Sequence, residues 1–508
     1  MKISLLFVFS LLWIPSEAFS QTAQFSRGGE VLVPLESEAT PGGFWGLSNR
    51  EADHATVAMN SIGDIVVAYH TARGDLAGPE LKQVEIAFFE YDSVADNWTF
   101  LERKLVGSTQ VSPLSPPFLQ AEVKCERPDV IAVGEKFFVV WTRRYDHSTL
   151  GAEDEPGILE CAWIEKIAGA VDVQGDPNTS GLGFVLDIHQ VSGPNPVPFE
   201  IRECAGVPDA VVLNDPSGNP TVGVAYPAQT LFVPNGTASG QRKADMRFVT
   251  CSISASGISS TPPEVLRTDL PFNGTTSLTP GGSAGLYLPD LAPSPDENAF
   301  WLAYEFQKAC SPPPNCIPLG RIRLEYWEYI AGSGWEELAG RTFTSATPMT
   351  RRRPMVSSYP SGAAGDIKVS IAFSKGVTAV DADVVFEQWV YSPPAGPLNP
   401  NGLVHAPVPA GTSGFPNSTL SDQRPIPMHG RNYPIFNRCY FSQNQQIGFF
   451  DLDSNSIQFL GTSAGASGRP AVSFVQAPAG GNPLDNVVLS WEAALTGGSS
   501  KQIWLRVD

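Results

Sequence analysis

Beyond Ile14 the chain has no long hydrophobic run, and none comes near the roughly 20 apolar residues that a membrane-spanning helix needs. Helical periodicity is missing too. No sustained i, i+3, i+4 apolar stripe occurs, which argues against long amphipathic helices. Charge is scarce, at 17% of residues, and unbalanced: 33 Lys and Arg face 52 Asp and Glu, for a net charge of −19. So acidic a surface repels phosphate backbones and excludes a nucleic-acid partner. The chain lacks His-Glu-x-x-His, Gly-x-Ser-x-Gly and a phosphate-binding glycine loop, which removes the common routes to zinc proteolysis, serine hydrolysis and nucleotide binding. No cysteine precedes Cys125, so a lipid-anchored N-terminal cysteine is not expected.

What is plentiful is turn chemistry, with 47 Gly and 45 Pro, as expected of an all-β chain. Met1-Lys2, the apolar run Ile3 to Ile14 and the small-residue site Ala18-Phe19-Ser20 read as a secretory signal peptide over 1–20, cut before Gln21. Residues 21–508 then form one secreted or periplasmic domain. Seven cysteines in an exported chain invite disulfides. Cys310 and Cys316 flank a short proline loop and suit a local staple. Cys125 and Cys204 precede strand openings, and Cys161 and Cys251 fall in third strands. Whether these pair within a repeat or between repeats stays open. Cys439 is the odd one and reads as a buried thiol.

One phrase recurs along the chain. His54-Ala55-Thr56-Val57, Arg127-Pro128-Asp129-Val130, Val207-Pro208-Asp209-Ala210, Leu288-Pro289-Asp290-Leu291, Arg353-Pro354-Met355-Val356, Arg424-Pro425-Ile426-Pro427 and Arg469-Pro470-Ala471-Val472 each open a strand. Four strand signals follow each opening; in the first repeat they cover 54–60, 64–70, 82–92 and 97–105. Repetition of this kind predicts a seven-bladed β-propeller of four-stranded antiparallel blades, with openings near 54, 127, 207, 288, 353, 424 and 469. A β-sandwich pair is the competing architecture. From Arg469 to Asp508 there is room for only three strands. The missing outer strand is expected from the N-terminal segment, at Glu30-Val31-Leu32-Val33-Pro34, which would latch the ring.

Asp129-Val130-Ile131-Ala132 with Phe138-Val139-Val140-Trp141, and Val57-Ala58-Met59-Asn60 with Ile65-Val66-Val67-Ala68-Tyr69, resemble the repeat of exported bacterial propellers. In a loose sense they are similar to the sialidase-like group. The resemblance spans most of the mature chain and concerns structural residues. The sialidase signature Ser-x-Asp-x-Gly-x-x-Trp has its nearest counterpart at Ser294 to Trp301, where Asn298 replaces the glycine. The sialidase reaction is therefore not implied.

Propeller sites lie where strand entrances and second-strand exits meet. The entrances supply His54, Arg127, Asp129, Asp209, Asp290, Arg353, Arg424 and Arg469; the exits supply His70, Arg143, Arg144, Tyr226, Glu305 and Gln307. His54 begins one strand and His70 ends the next, so antiparallel pairing sets them side by side as base and acid or as ligands. The alternative is a strand cap and a surface residue. The arginines form either a basic ring for an acidic sugar or ion pairs repeated with Asp129, Asp209 and Asp290. The layout looks like that of propeller-fold polysaccharide lyases such as ulvan lyases. That resemblance implies that His54 or His70 removes the proton alpha to a uronate carboxylate. It further implies that Arg143 or Arg144 neutralises that carboxylate and that Tyr226 protonates the leaving oxygen. The cofactor is open. Calcium is the one candidate, on Asp451-x-Asp453-x-Asn455, which lacks the expected Gly and Glu at Ser456 and Thr462. The expected function is non-catalytic binding of an extracellular glycan or protein ligand on the loop-rich face. The alternative is a polysaccharide lyase or glycosidase acting on an acidic glycan through His54 and His70.

Overall fold

The computed structural model describes residues 23–34, 50–73, 81–107, 122–146, 157–174, 183–188, 199–204, 207–215, 217–233, 241–254, 257–270, 289–294, 298–308, 319–343, 350–360, 366–378, 381–392, 403–405, 426–429, 437–443, 446–451, 456–461, 466–475, 486–494 and 501–508. Among these every regular element is a strand, and no helix is long and apolar enough to cross a membrane. The described strands form six hydrogen-bonded sheets; the ten-stranded one holds two antiparallel sets joined by a parallel pairing of Lys82 with Lys124, which makes seven sets in all. In the first, Arg50–Met59, Ile65–Arg73, Leu81–Asp92 and Asn97–Gly107 pair in chain order. The second runs Glu122–Val133, Lys136–Asp146 and Gly157–Ile167, with Ala170–Gln174 and Phe184–Ile188 both on its third strand. The third centres on Pro220–Val233 and Gln241–Ser254, and two short strands flank each of them. The fourth is Asp290–Pro293, Ala299–Lys308, Leu319–Ile330 and Gly334–Phe343. The fifth is Thr350–Pro360, Ile367–Thr378, Asp381–Tyr391 and Leu403–His405. The sixth is Ile426–His429, Asn437–Gln443, Gln446–Asp451 and Ser456–Phe459.

The seventh set holds Ala466–Val475, Asn486–Ala494 and Lys501–Val507. Its outer strand is Glu30–Leu32, with Glu30 opposite Arg506 and Leu32 opposite Trp504. The neighbouring strand Gln24–Ser26 pairs instead with Asn97–Gly107 of the first set. One short N-terminal segment is thus stitched to both the first and the last set. Arg27 lies between the two strands and reaches Asp96 at 3.1 Å and the carbonyl of Asp508 at 3.4 Å.

The second strand of each set explains why the sets pack against one another. Ile65-Val66-Val67-Ala68-Tyr69 is wholly buried without alternation. Both of its faces meet protein, so both must be apolar. Val66 and Ala68 join the core shared with Phe137, Val139 and Trp141 of the second set. Ile65, Val67 and Tyr69 turn the other way, toward Val488, Ile503, Leu505 and Val507 of the seventh. The same split recurs. Phe138 and Val140 face Val222, Val224 and Tyr226 of the third set. Phe300, Leu302 and Tyr304 face Val211 and Phe248, while Trp301 and Ala303 face the fifth set. The sixth and seventh sets share Tyr440, Phe449, Leu489 and Trp491, with Met355 of the fifth packed against them. Each fully buried Val, Leu or Phe stabilises this arrangement by about 1.5–3 kcal/mol.

Four of the seven openings are β-bulges. The register of the first strand slips between Asp53 and Thr56, Glu126 and Asp129, Arg352 and Met355, and Gly468 and Ala471. His54-Ala55, Arg127-Pro128, Arg353-Pro354 and Arg469-Pro470 sit inside those slips. Proline suits the place because a bulged residue leaves the hydrogen-bond ladder, so its missing N–H costs nothing there. The openings therefore lie within longer strands: in the first two sets pairing begins at Arg50 and Glu122, upstream of His54 and Arg127.

Candidate functional site

His54 and Arg127 both adopt the left-handed backbone region, with φ of 53° and 57°. For a side chain larger than glycine this conformation costs roughly 1–2 kcal/mol. It is imposed by the bulge, and it frees the backbone N–H to point away from its own sheet. The N–H of His54 donates to Oε1 of Glu492 at 2.8 Å, from the first set to the seventh. The N–H of Arg127 donates to Nδ1 of His70 at 3.3 Å, from the second set to the first. Glu492 follows Trp491 as His70 follows Tyr69, so the two acceptors hold equivalent places in their second strands. His70 accepts through Nδ1, which leaves its ring proton on Nε2.

The two histidines meet. Their rings stack with centroids 4.7 Å apart and planes at 29°. His70 is buried and His54 half-buried, so the pair has one enclosed member and one that reaches the surface. Glu492, His54, His70 and the Arg127 backbone thus form a continuous polar line across three sets. Chemically it offers a half-buried imidazole whose Nδ1 is enclosed, backed by a second imidazole, beside the opening that carries Arg127.

The aspartates of the openings have a different setting. Oδ2 of Asp129 accepts the N–H of Ala210 at 3.0 Å. Oδ2 of Asp209 accepts from Leu291 at 2.6 Å, and Oδ2 of Asp290 from Val356 at 2.5 Å. Each carboxylate therefore holds the first strand of the next set. In the first set Thr56 stands at this place, and its hydroxyl donates to the carbonyl of Pro128 at 3.4 Å. The acidic residues are spaced by the repeat because the junction between sets repeats.

Arg143 and Tyr226 are both wholly enclosed. Nε of Arg143 donates to Oε1 of Glu160 at 2.8 Å, while the Trp141 indole N–H donates to Oε2 at 2.8 Å. Burial pushes the Glu160 carboxyl up; the Arg143 charge, and then hydrogen bonds from Arg143 and Trp141, pull it back. The Tyr226 hydroxyl donates to Asp187 at 2.5 Å, and Arg247 reaches the same carboxylate at 3.4 Å. A related trio occurs in the fourth set, where Tyr304 and Trp327 donate to Glu325, each at 3.0 Å. Burial, followed by the Glu325 charge, pushes the Tyr304 phenol far up. In the first set Tyr69 and Glu85 stand at 3.4 Å.

The backbone places Arg144 opposite Lys124 and Arg353 inside its bulge; their side chains, and all of Arg424, lie outside the described residues. The Asp453 and Asn455 positions of the calcium-like loop also lie outside them, as do Cys310 and Cys316. Among the described residues no three His, Cys, Asp or Glu gather as metal ligands. The structure brings His54, His70 and Arg127 together and adds Glu492, which sequence reasoning missed. Its signal was positional: Ser490-Trp491-Glu492 aligns with Ala68-Tyr69-His70.

No protein-family model and no curated protein matches the chain. Solved structures do. A protein of unknown function from Dyadobacter fermentans is 10% identical over 96% of this chain and 98% of its own, with a TM-score of 0.41. The GH93 alpha-L-arabinofuranosidase of Fusarium graminearum, solved with arabinobiose, is 11% identical over 96% and 98%, with a TM-score of 0.38. The Trypanosoma rangeli sialidase is 11% identical over 95% of this chain, with a TM-score of 0.40; the match covers 58% of the sialidase's length.

Proposed function

We propose that the seven sets are the blades of one closed β-propeller, and that the end bearing the bulged openings binds a carboxylate-bearing glycan outside the cell without transforming it. Two features support the ring. Buried cores couple neighbouring sets, and one core joins the first set to the last. The N-terminal strand pairs reach both of those sets. One observation carries the binding reading: His54 and Arg127 occupy left-handed backbone on adjoining bulges, with the His54 ring stacked on His70. Glycine would sit in either place at lower cost, and we read the His and Arg side chains there as serving a ligand. An imidazole next to an opening that carries an arginine suits a sugar acid, which presents both a flat ring face and a carboxylate.

The test is calorimetric titration of the intact chain with oligouronates and with neutral oligosaccharides. Binding is expected for the acidic set alone, weakened about tenfold, or by about 1.4 kcal/mol, in His54→Ala and in Arg127→Ala. Equal affinity for neutral sugars, or no change in both variants, overturns it.

The stacked pair favours a second reading, uronate elimination with His54 as base. It predicts that ultraviolet absorbance of an unsaturated product rises with the wild-type chain and not with His54→Ala or His70→Ala. The binding reading ranks first because Arg143 and Tyr226 are enclosed and engaged with Glu160 and Asp187, away from any incoming sugar.

A further inference from the structure

Cys161 and Cys251 lie in the third strands of adjacent sets, opposite Val140 and Val222. Both are buried, both are thiols here, and both belong to the core that joins the second set to the third. Each thiol shifts the ionisation of the other, as close neighbours do. Cys125, also buried, belongs to the preceding core between the first and second sets and is not part of this contact. A third group converges on the pair. The buried indole N–H of Trp163 has no hydrogen-bond partner, and it is near enough to Cys251 to favour the thiolate.

The two thiols are unequal. The neighbouring Cys161 thiol, joined by the Trp163 contact, pulls Cys251 down. Burial, and then Cys251, pushes Cys161 well up. In the folded chain Cys251 is therefore the more readily ionised of the two.

We infer that Cys161 and Cys251 are a disulfide-forming pair that covalently joins the second set to the third when the chain folds in the presence of a disulfide oxidant such as glutathione disulfide. Either cysteine, as its thiolate, attacks one sulfur of the oxidant, forming a mixed disulfide and releasing one glutathione thiolate. The other gives up its proton and attacks the protein sulfur of that mixed disulfide, which expels the second glutathione. Two protein thiols are oxidised, and the oxidant's disulfide is reduced to two thiols. The exchange precedes full closure of the junction, because the folded core encloses both sulfurs.

The experiment refolds the full chain in a buffer of reduced and oxidised glutathione. The product is alkylated in denaturant without reductant, and its peptides are mapped by mass. The expected result is a peptide joining Cys161 to Cys251 that disappears on reduction. Recovery of both residues as alkylated thiols, or of either linked to a different cysteine, overturns the inference. A second measurement compares melting temperatures with and without reductant. The drop caused by reductant should be larger in the wild type than in Cys161→Ser/Cys251→Ser; equal drops also overturn it.

Discussion

The carboxylate of Glu492 accepts the backbone N–H of His54 at 2.8 Å, tying the seventh strand set to the first. The carboxylate is buried, so its loss strands a donor that the bulge has turned away from its own sheet. Glu492→Ala should destabilise the chain by about 1–3 kcal/mol, and Glu492→Gln, which keeps an acceptor, by less. Denaturant unfolding of the two variants checks the order.

Asp209 has the same duty between the third and fourth sets, through Leu291. Asp209→Ala should cost about 1–3 kcal/mol, with Asp209→Asn milder, and glycan affinity should follow stability with no further loss. A tenfold fall in affinity for a still-folded Asp209→Asn would instead return this residue to the ligand.

Arg143 and Glu160 form a dry ion pair with side-chain exposure of 0% on both partners. Removing one partner leaves a buried charge, so Arg143→Ala should destabilise by about 3–5 kcal/mol. The double change Arg143→Met/Glu160→Gln should recover part of that loss. Melting curves of the three proteins test it.

Arg27 holds the Asp96 carboxyl below its ordinary value; burial opposes the shift, and a hydrogen bond from Tyr91 adds to it. The folded-state value lies under the unfolded one. The contribution is therefore present above the usual aspartate range and fades as pH falls through the folded value. Asp96 is about half exposed, so the effect is small, on the order of 0–1 kcal/mol. Asp96→Asn should flatten the acid limb of the melting temperature against pH. Deleting residues 24–33 should lower the melting temperature at every pH, because it removes both strand pairings.

Arg127→Gly separates use from strain. Glycine relieves a left-handed backbone that costs roughly 1–2 kcal/mol but loosens the unfolded chain by about 1 kcal/mol. Stability should stay within ~1 kcal/mol of wild type while acidic-glycan affinity falls about tenfold, read by calorimetry alongside unfolding.

Much of the architecture was legible because the openings contain proline at a place where the ladder is broken. The strands expected at 64–70, 82–92 and 97–105 correspond to Ile65–Arg73, Leu81–Asp92 and Asn97–Gly107. The meeting of His54 with His70 was also readable, since antiparallel pairing dictates it. Arg143 and Tyr226 were harder. Both look like exit residues by position, yet each shares a strand face with a core aromatic or valine, Arg143 with Trp141 and Tyr226 with Val224. Period-two alternation thus carries them inward. Glu492 escaped notice because the place filled by imidazole in the first set is filled by carboxylate in the seventh. The bulge at the openings was also hidden, since proline at the first residue of a strand and proline inside a slip look the same in sequence.

Glu30 lies opposite Arg506, so that contact joins two segments far apart in the chain. During synthesis it cannot form until the ribosome has made Lys501–Val507. A nascent chain must wait with one sheet edge uncapped. The interval before that last zipper shuts is the time when the molecule is most exposed to proteases and to mispairing with another copy.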